Sequence, residues 1–306
     1  MNAVEAKDLY KRYDKVWALN GLTVSIPTGQ VVCILGPNGA GKSTFLHIIS
    51  TILKPSSGSV KVMGYDVIKQ GAQVRKVLGI SFQEPKLFWR FSPEEVLKLH
   101  AKVHGIRDMD AIEGVLRQLG LWEVRRRSVE FLSGGERKKV EIAKVLIQKP
   151  RLAIFDEPTA MIDLEGKHYI WDAIKDLAAS GSTVLVATND MYEAEVLAGS
   201  ILLINKGRLV AMANPRELKE MVAGGDLIEL LLSAPPSMNT LERIRRFITS
   251  EVDLQGSRLM IRTRRYWTDL PPLIEMLRSE GLVLLEVKVK EPNLDEVITR
   301  VTLESR

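Results

Sequence analysis

The sequence predicts an α/β fold built on a mostly parallel sheet, followed by a smaller α+β unit, and three observations carry that prediction. Short unbroken apolar runs bounded by turn residues recur at Val31–Leu35, Leu152–Asp156, Thr183–Thr188 and Ser200–Ile204. Such runs fit strands buried on both faces of a sheet covered by helices. Between them, residues 92–150 are rich in Leu, Lys, Glu and Arg, with helical spacing at Val96, Leu97, Leu99 and Val103, which gives a helical insert. Beyond residue 225 the pattern changes to strand, helix, two strands, helix, strand.

The chain has 306 residues, 45% of them hydrophobic, which is enough for one large or two ordinary domains and excludes disorder as the main state. Its 43 Lys and Arg against 38 Asp and Glu leave a formal charge of +5. That excess lies within residues 1–220, which suits an anionic ligand there without the dense basic clusters of a nucleic-acid binder. The single cysteine, Cys33, lies in an apolar run, so core packing is its expected role and neither an internal disulfide nor a Cys-based metal site is available. No apolar stretch approaches the ~20 residues that span a bilayer. Met1 to Tyr13 mixes Glu5, Lys7, Asp8, Lys11 and Arg12 and so lacks the apolar core of a secretion signal, giving the expectation of a cytosolic protein, free or docked.

The Gly224-Gly225 pair, where the charge balance also changes, reads as a joint between residues 1–222 and 225–306. The helical subdomain of the first part covers about 84–150. In the second part the spacing predicts a strand at 226–232, a helix at 237–249, a hairpin of 251–254 and 258–263, a helix at 270–280 and a strand at 282–290. The hairpin turns at Gln255-Gly256-Ser257. This βαββαβ order is ferredoxin-like, with a last helix at 293–303.

Residues 36–44 read Gly36-Pro37-Asn38-Gly39-Ala40-Gly41-Lys42-Ser43-Thr44, which satisfies G-x-x-x-x-G-K-[ST] after an apolar strand. The glycines let backbone N–H groups turn inward around phosphate oxygens, and a helix starting near Lys42 points its positive end at them. Lys42 is placed to bridge β- and γ-phosphates, and the Ser43 hydroxyl to ligate Mg²⁺. The second requirement of nucleotide hydrolysis is a carboxylate for the metal, and the run Leu152-Ala153-Ile154-Phe155 ends in Asp156-Glu157. Asp156 reads as the metal partner and Glu157 as the general base for the attacking water. These features give a P-loop nucleotide hydrolase and leave its task open.

The run Leu132-Ser133-Gly134-Gly135-Glu136, between the P-loop and Asp156, resembles the signature of the ABC (ATP-binding cassette) ATPases. Ser133 and the glycines opening a helical run, Lys138–Gln148, suit a second anion site. The resemblance covers most of residues 4–220. It implies that Gln83, in Gly79-Ile80-Ser81-Phe82-Gln83, reaches Mg²⁺ and the water. It also implies that Tyr13 stacks on adenine, with Tyr10 and Trp17 as alternatives, and that Asp163 lies across a dimer interface. Two cassettes would then pack head to tail, with each ATP held between one P-loop and the other chain's Ser133-Gly134-Gly135. ATP and Mg²⁺ are the implied ligands, and a second cassette, identical or homologous, and a membrane permease the implied partners, with no nucleic acid. The expected location is peripheral, on the cytoplasmic face of the membrane, with Leu87-Phe88-Trp89-Arg90-Phe91 as the candidate docking groove or else subdomain core.

Two positions depart from the family pattern. In Thr188-Asn189-Asp190, Asn189 stands where a histidine normally contacts the γ-phosphate, and an amide can donate a hydrogen bond but cannot take up a proton or positive charge. In Pro158-Thr159-Ala160-Met161-Ile162-Asp163, Met161 replaces the usual glycine. With Glu157 intact, slow hydrolysis is expected rather than none. The tail, with Leu284 to Lys290 followed by Pro292-Asn293-Leu294-Asp295-Glu296-Val297, resembles the C-terminal extension of daunorubicin-type exporter ATPases. The reading is therefore an exporter ATPase. The alternatives are a soluble, non-transport ABC protein, against which stand the missing coiled-coil insertions and second cassette, and an ATP-gated regulatory dimer with weak hydrolysis, which Asn189 and Met161 keep open.

Overall fold

The computed structural model describes residues 1–223, 225–248, 251–290 and 293–303. They fall into two compact units divided between Asn214 and Pro215.

The elements of the first unit are β1 (Asn2–Tyr13), β2 (Val16–Pro27), β3 (Val31–Leu35), α1 (Lys42–Ile49), β4 (Ser57–Val62), β5 (Tyr65–Asp66), α2 (Gly71–Val77), β6 (Leu78–Ser81), α3 (Pro93–His104), α4 (Asp110–Gln118), α5 (Gly134–Gln148), β7 (Leu152–Asp156), α6 (Leu164–Ala179), β8 (Thr183–Ala187), α7 (Met191–Leu197), β9 (Ser200–Asn205) and β10 (Arg208–Ala213). Six strands form one sheet in the order β10-β9-β3-β8-β7-β6, parallel except for the antiparallel edge strand β10. The expected apolar runs are its centre, and every residue of β3, β7 and β8 is buried. Because β3, β6, β7 and β8 run the same way, Leu35, Ser81, Asp156 and Ala187 end at one edge of the sheet, where open α/β folds bind their ligands.

A second, antiparallel sheet, β2-β1-β4-β5, packs with α1 and the main sheet into one core containing Val4, Leu22, Ile26, Ile34, Phe45, Leu46 and Ile154. The apolar runs do not announce this sheet. The pairings of β1 carry register shifts around Ala6/Leu9 and Lys11/Arg12, and such bulges interrupt the in–out alternation that marks a half-buried strand. The helical insert contains α3, α4 and α5. Ser92 and Glu95 close a capping box on α3, Pro93 opens its first turn and Gly105 ends it in the left-handed conformation. Cys33 is completely buried and burial pushes its thiol pKa up, in keeping with a packing role.

The second unit is α8 (Pro215–Ala223), β11 (Asp226–Leu232), α9 (Met238–Phe247), β12 (Val252–Gln255), β13 (Arg258–Thr263), α10 (Tyr266–Ser279), β14 (Leu284–Lys290) and α11 (Leu294–Leu303). Its antiparallel sheet has the order β12-β13-β11-β14, the ferredoxin-like arrangement. Ile228, Leu230 and Leu232 of β11 pack with Leu241, Ile244, Leu273 and Leu277. The division at 214/215 falls earlier than the expected joint at 222–225, because α8 lies along α11 and so joins the second unit. Gly224, Thr249 and Pro292 lie outside the described residues. The fifth element also differs from expectation: α10 starts at Tyr266 rather than at residue 270, and Pro271 and Pro272 sit inside it. Thr263 Oγ1 accepts from the Arg265 N–H at 3.0 Å and bonds to Asp269, which fixes the first turn ahead of the prolines. Among the described residues no helix is long and apolar enough to cross a membrane.

Candidate functional site

Gly36 to Thr44 connect β3 to α1 and form its first turn. Gly36 has φ +155°, and a Cβ there would lie 2.1 Å from the Ile204 carbonyl oxygen; Gly41, which caps α1, has φ +105° and would place a Cβ 2.4 Å from the Ala18 oxygen. Only glycine lets the loop pass between these backbones. Lys42 turns back over the loop. Its Nζ donates to the Gly36 oxygen at 2.8 Å and to Asn189 Oδ1 at 2.6 Å, with a longer contact to the Pro37 oxygen at 3.4 Å. Burial lowers the Lys42 pKa, while the charges of Glu157 and Asp156 pull it back up.

Asp156 ends β7 beside the P-loop. Burial raises its pKa, and a hydrogen bond from the Ser43 hydroxyl acts in the opposite direction. Glu157 follows with φ +49°, a left-handed backbone that is costly for a non-glycine residue, and its N–H donates to the Ala187 oxygen at 2.8 Å. Burial also raises the Glu157 pKa, with Lys42 opposing. Asn189 joins these groups. Its Nδ2 donates to Glu157 Oε1 at 2.7 Å and to Asn38 Oδ1 at 3.1 Å, while its Oδ1 accepts from Lys42. The position taken by an amide is thus the bridge between the P-loop lysine and the candidate base.

The remaining predicted residues lie around this centre. Gln83, two residues past the end of β6, has an exposed side chain, and its backbone oxygen accepts from Lys138 at 3.1 Å. Tyr13 is 46% exposed under the Lys11 ammonium; Trp17 is equally exposed, with the edge of Tyr10 against it. The Arg12 guanidinium also lies over the Trp17 ring at 5.6 Å, and Tyr10 is the more enclosed of the three rings. Ser133 caps α5 in a reciprocal box, its Oγ accepting from the Glu136 N–H at 3.1 Å and the Glu136 carboxylate accepting from the Ser133 N–H at 2.7 Å. Leu132 is buried behind it. Neither Gly134 nor Gly135 has positive φ, and a Cβ on Gly134 would meet nothing within 4 Å, so packing inside the chain does not require these glycines. Asp163 caps α6 through the Gly166 N–H at 3.1 Å, and Met161 before it is fully exposed with φ +61°.

Two residues of the site have no motif to reveal them. Lys138 on α5 is buried and donates to the Phe82 and Asp156 oxygens as well as to Gln83. Burial lowers its pKa to about 8. Glu193 on α7 is fully buried and accepts from the Thr159 hydroxyl at 2.8 Å and the Trp171 indole N–H at 3.0 Å, tying α6 and α7 to the segment after Glu157. For Glu193 the available signal is an acid in a short helix whose neighbours Ala194 and Leu197 are buried; Lys138, with Glu141 one turn along, carries no such mark.

Residues 19–160 match the family model described as ABC transporter. Over nearly its whole length the chain is 30% identical to the daunorubicin resistance ATP-binding protein DrrA3 of Streptomyces coeruleorubidus, covering 99% of this chain and 97% of that one. The chain belongs to the ATP-binding subunits of ABC transporters. This ABC ATPase is also 29% identical to the linearmycin resistance ATP-binding protein LnrL of Bacillus subtilis, with 98% of each chain covered. It is 30% identical to the Nod factor export ATP-binding protein I of Ralstonia nicotianae, covering 98% of this chain and 93% of that one. Among solved structures, the ABC ATPase resembles the ATP-binding cassette MJ0796 in a dimeric post-hydrolysis state with ADP and Pi. The TM-score is 0.64 at 26% identity, covering 69% of this chain and 98% of that one.

Proposed function

We propose that the chain is the ATP-hydrolysing subunit of an ABC exporter, acting as one of two cassettes closed around two ATP on the cytoplasmic face of a membrane and driving a separate permease. The observation that carries this reading is the bridge Lys42–Asn189–Glu157 beside the Ser43–Asp156 hydrogen bond. It gathers groups from α1, the end of β7 and the end of β8 at one edge of the sheet. The exporter assignment is supported by relatives named for daunorubicin resistance, linearmycin resistance and Nod factor export, each matched through the second unit as well as the first.

In this reading the backbone N–H groups of Gly36 to Thr44 and the Lys42 ammonium bind the β- and γ-phosphates, and Tyr13 or Trp17 stacks on the adenine. Glu157, held by Asn189, takes the proton of the attacking water. The Ser43 hydroxyl, the Asp156 carboxylate and the Gln83 amide oxygen are hard oxygen donors that suit Mg²⁺. The metal would neutralise charge on the β- and γ-phosphate oxygens. Ser133-Gly134-Gly135 face the ATP of the partner cassette; the open space beside Gly134 leaves room for that approach. The exposed aromatics Phe88 and Trp89 fit a permease-docking groove better than subdomain core. Turnover is slow, because the Asn189 amide holds Glu157 but carries no charge and Met161 burdens the segment that faces the partner.

The test is steady-state ATP hydrolysis of the purified chain beside Glu157→Gln, with gel filtration in ATP and Mg²⁺. Loss of a slow activity together with an ATP-dependent dimer in Glu157→Gln supports the reading; a wild-type chain that neither hydrolyses ATP nor dimerises sinks the self-sufficient homodimer.

A further inference from the structure

Helix α5 grips the segment after β6 with two side chains one turn apart. The Lys138 ammonium donates to the Phe82 oxygen at 2.6 Å, the Asp156 oxygen at 2.9 Å and the Gln83 oxygen at 3.1 Å. An ammonium has three N–H groups, so none is left for water. Glu141, fully buried, accepts from the Lys86 N–H at 3.0 Å and pairs with Lys144 at 2.9 Å. The pairing of β6 with β7 runs from Leu78–Leu152 to Ser81–Phe155. Just past the last of these pairs, Lys138 holds Phe82 and Gln83 on one side and Asp156 on the other. The same helix carries the Ser133–Glu136 capping box in its first turn.

We propose that Lys138 is a positioning residue for the metal side of the ATPase site, fixing the backbones of Gln83 and Asp156 to a single point on the helix that bears Ser133. This rests on the reading of Gln83 and Asp156 as the metal-side groups. A buried ammonium is an expensive way to fill space, since a methionine of similar length packs without a desolvation cost. Its use is explained by the three carbonyl oxygens it satisfies, which an apolar side chain would leave unpaired. The consequence is mechanical: the placement of α5 sets the backbones that carry the metal-side groups.

The experiment uses the full chain with Lys138→Met, Lys138→Gln and Lys138→Arg, beside Gln83→Ala and Asp156→Asn as references. Mn²⁺ affinity in the presence of ATP is followed by electron paramagnetic resonance. A fluorescent ATP analogue is titrated in EDTA, and hydrogen exchange is followed across residues 82–86. Lys138→Met is expected to weaken Mn²⁺ binding about 10–100-fold, the usual effect of losing a group that orients metal ligands. It should speed exchange in 82–86 while leaving metal-free analogue binding unchanged. Lys138→Gln, with two donors, falls between, and Lys138→Arg restores most of the affinity. The proposal is overturned by a folded Lys138→Met or Lys138→Gln protein with wild-type Mn²⁺ affinity, or by equal losses of metal and metal-free nucleotide binding. If Gln83→Ala and Asp156→Asn themselves leave Mn²⁺ affinity unchanged, the reading of the site fails and takes the proposal with it.

Discussion

Replacing Asn189 by alanine removes the amide that accepts from Lys42 at 2.6 Å and donates to Glu157 at 2.7 Å. The two losses are unequal. Lys42 keeps the Gly36 oxygen at 2.8 Å, whereas among the described residues the Asn189 amide is the one hydrogen-bond donor to the Glu157 carboxylate, so the cost falls on the candidate base. A hydrogen bond with a charged partner is worth about 1.5–3 kcal/mol. If that bond orients Glu157 in the reacting arrangement, turnover falls about 10–100-fold. The ATP KM should change little, since the phosphate cradle and Lys42 remain. Asn189→His separates geometry from charge: an imidazole cannot accept from Lys42 and donate to both Asn38 and Glu157 in its neutral form, but it can carry positive charge near the γ-phosphate. Turnover above wild type in Asn189→His, with the loss in Asn189→Ala, is the expected pair of results in a coupled-enzyme ATPase assay. An Asn189→Ala protein whose kcat stays within about twofold of wild type would show that the bridge does not position Glu157.

The pH profile gives a second check: burial raises the Glu157 pKa, the base must be ionised, and so the acidic limb of kcat/KM lies at higher pH than an ordinary glutamate would give. An acidic limb at or below pH 4.5, the usual glutamate value, speaks against Glu157 as the base. Gly36→Ala forces a Cβ to 2.1 Å from the Ile204 oxygen in a left-handed backbone, so nucleotide binding, measured with a fluorescent ATP analogue, should be lost along with several degrees of Tm. Gly134→Ala meets no atom of its own chain and should keep wild-type Tm while losing the ATP-dependent dimer of Glu157→Gln in gel filtration. A dimer that persists in that double variant removes the partner-facing role of Gly134.

Local sequence already contained the geometry of the loop and the acids. The loop after β3 needs the backbone freedom of Gly36 and Gly41, and a run such as Leu152–Phe155 followed by two acids delivers carboxylates to a strand end, so both could be read from neighbouring residues alone. The ferredoxin-like order of the second unit was also legible, because each strand and helix carries its own periodicity and Gly256 marks the hairpin turn. Other features depend on residues that meet only when the chain folds. Register shifts in β1 hid the antiparallel sheet, and α8 joins the second unit through α11, which no boundary signal near Gly225 could reveal. The position of Asn189 announced a departure from the family, but only the convergence of β8 with the P-loop showed that its amide links Lys42 to Glu157. Lys138 looked like any helix lysine until the parallel pairing of β6 and β7 placed three carbonyl oxygens around its ammonium. Short-range rules govern backbone conformation, whereas burial of a charge and the partners that satisfy it are set by the packing of distant segments.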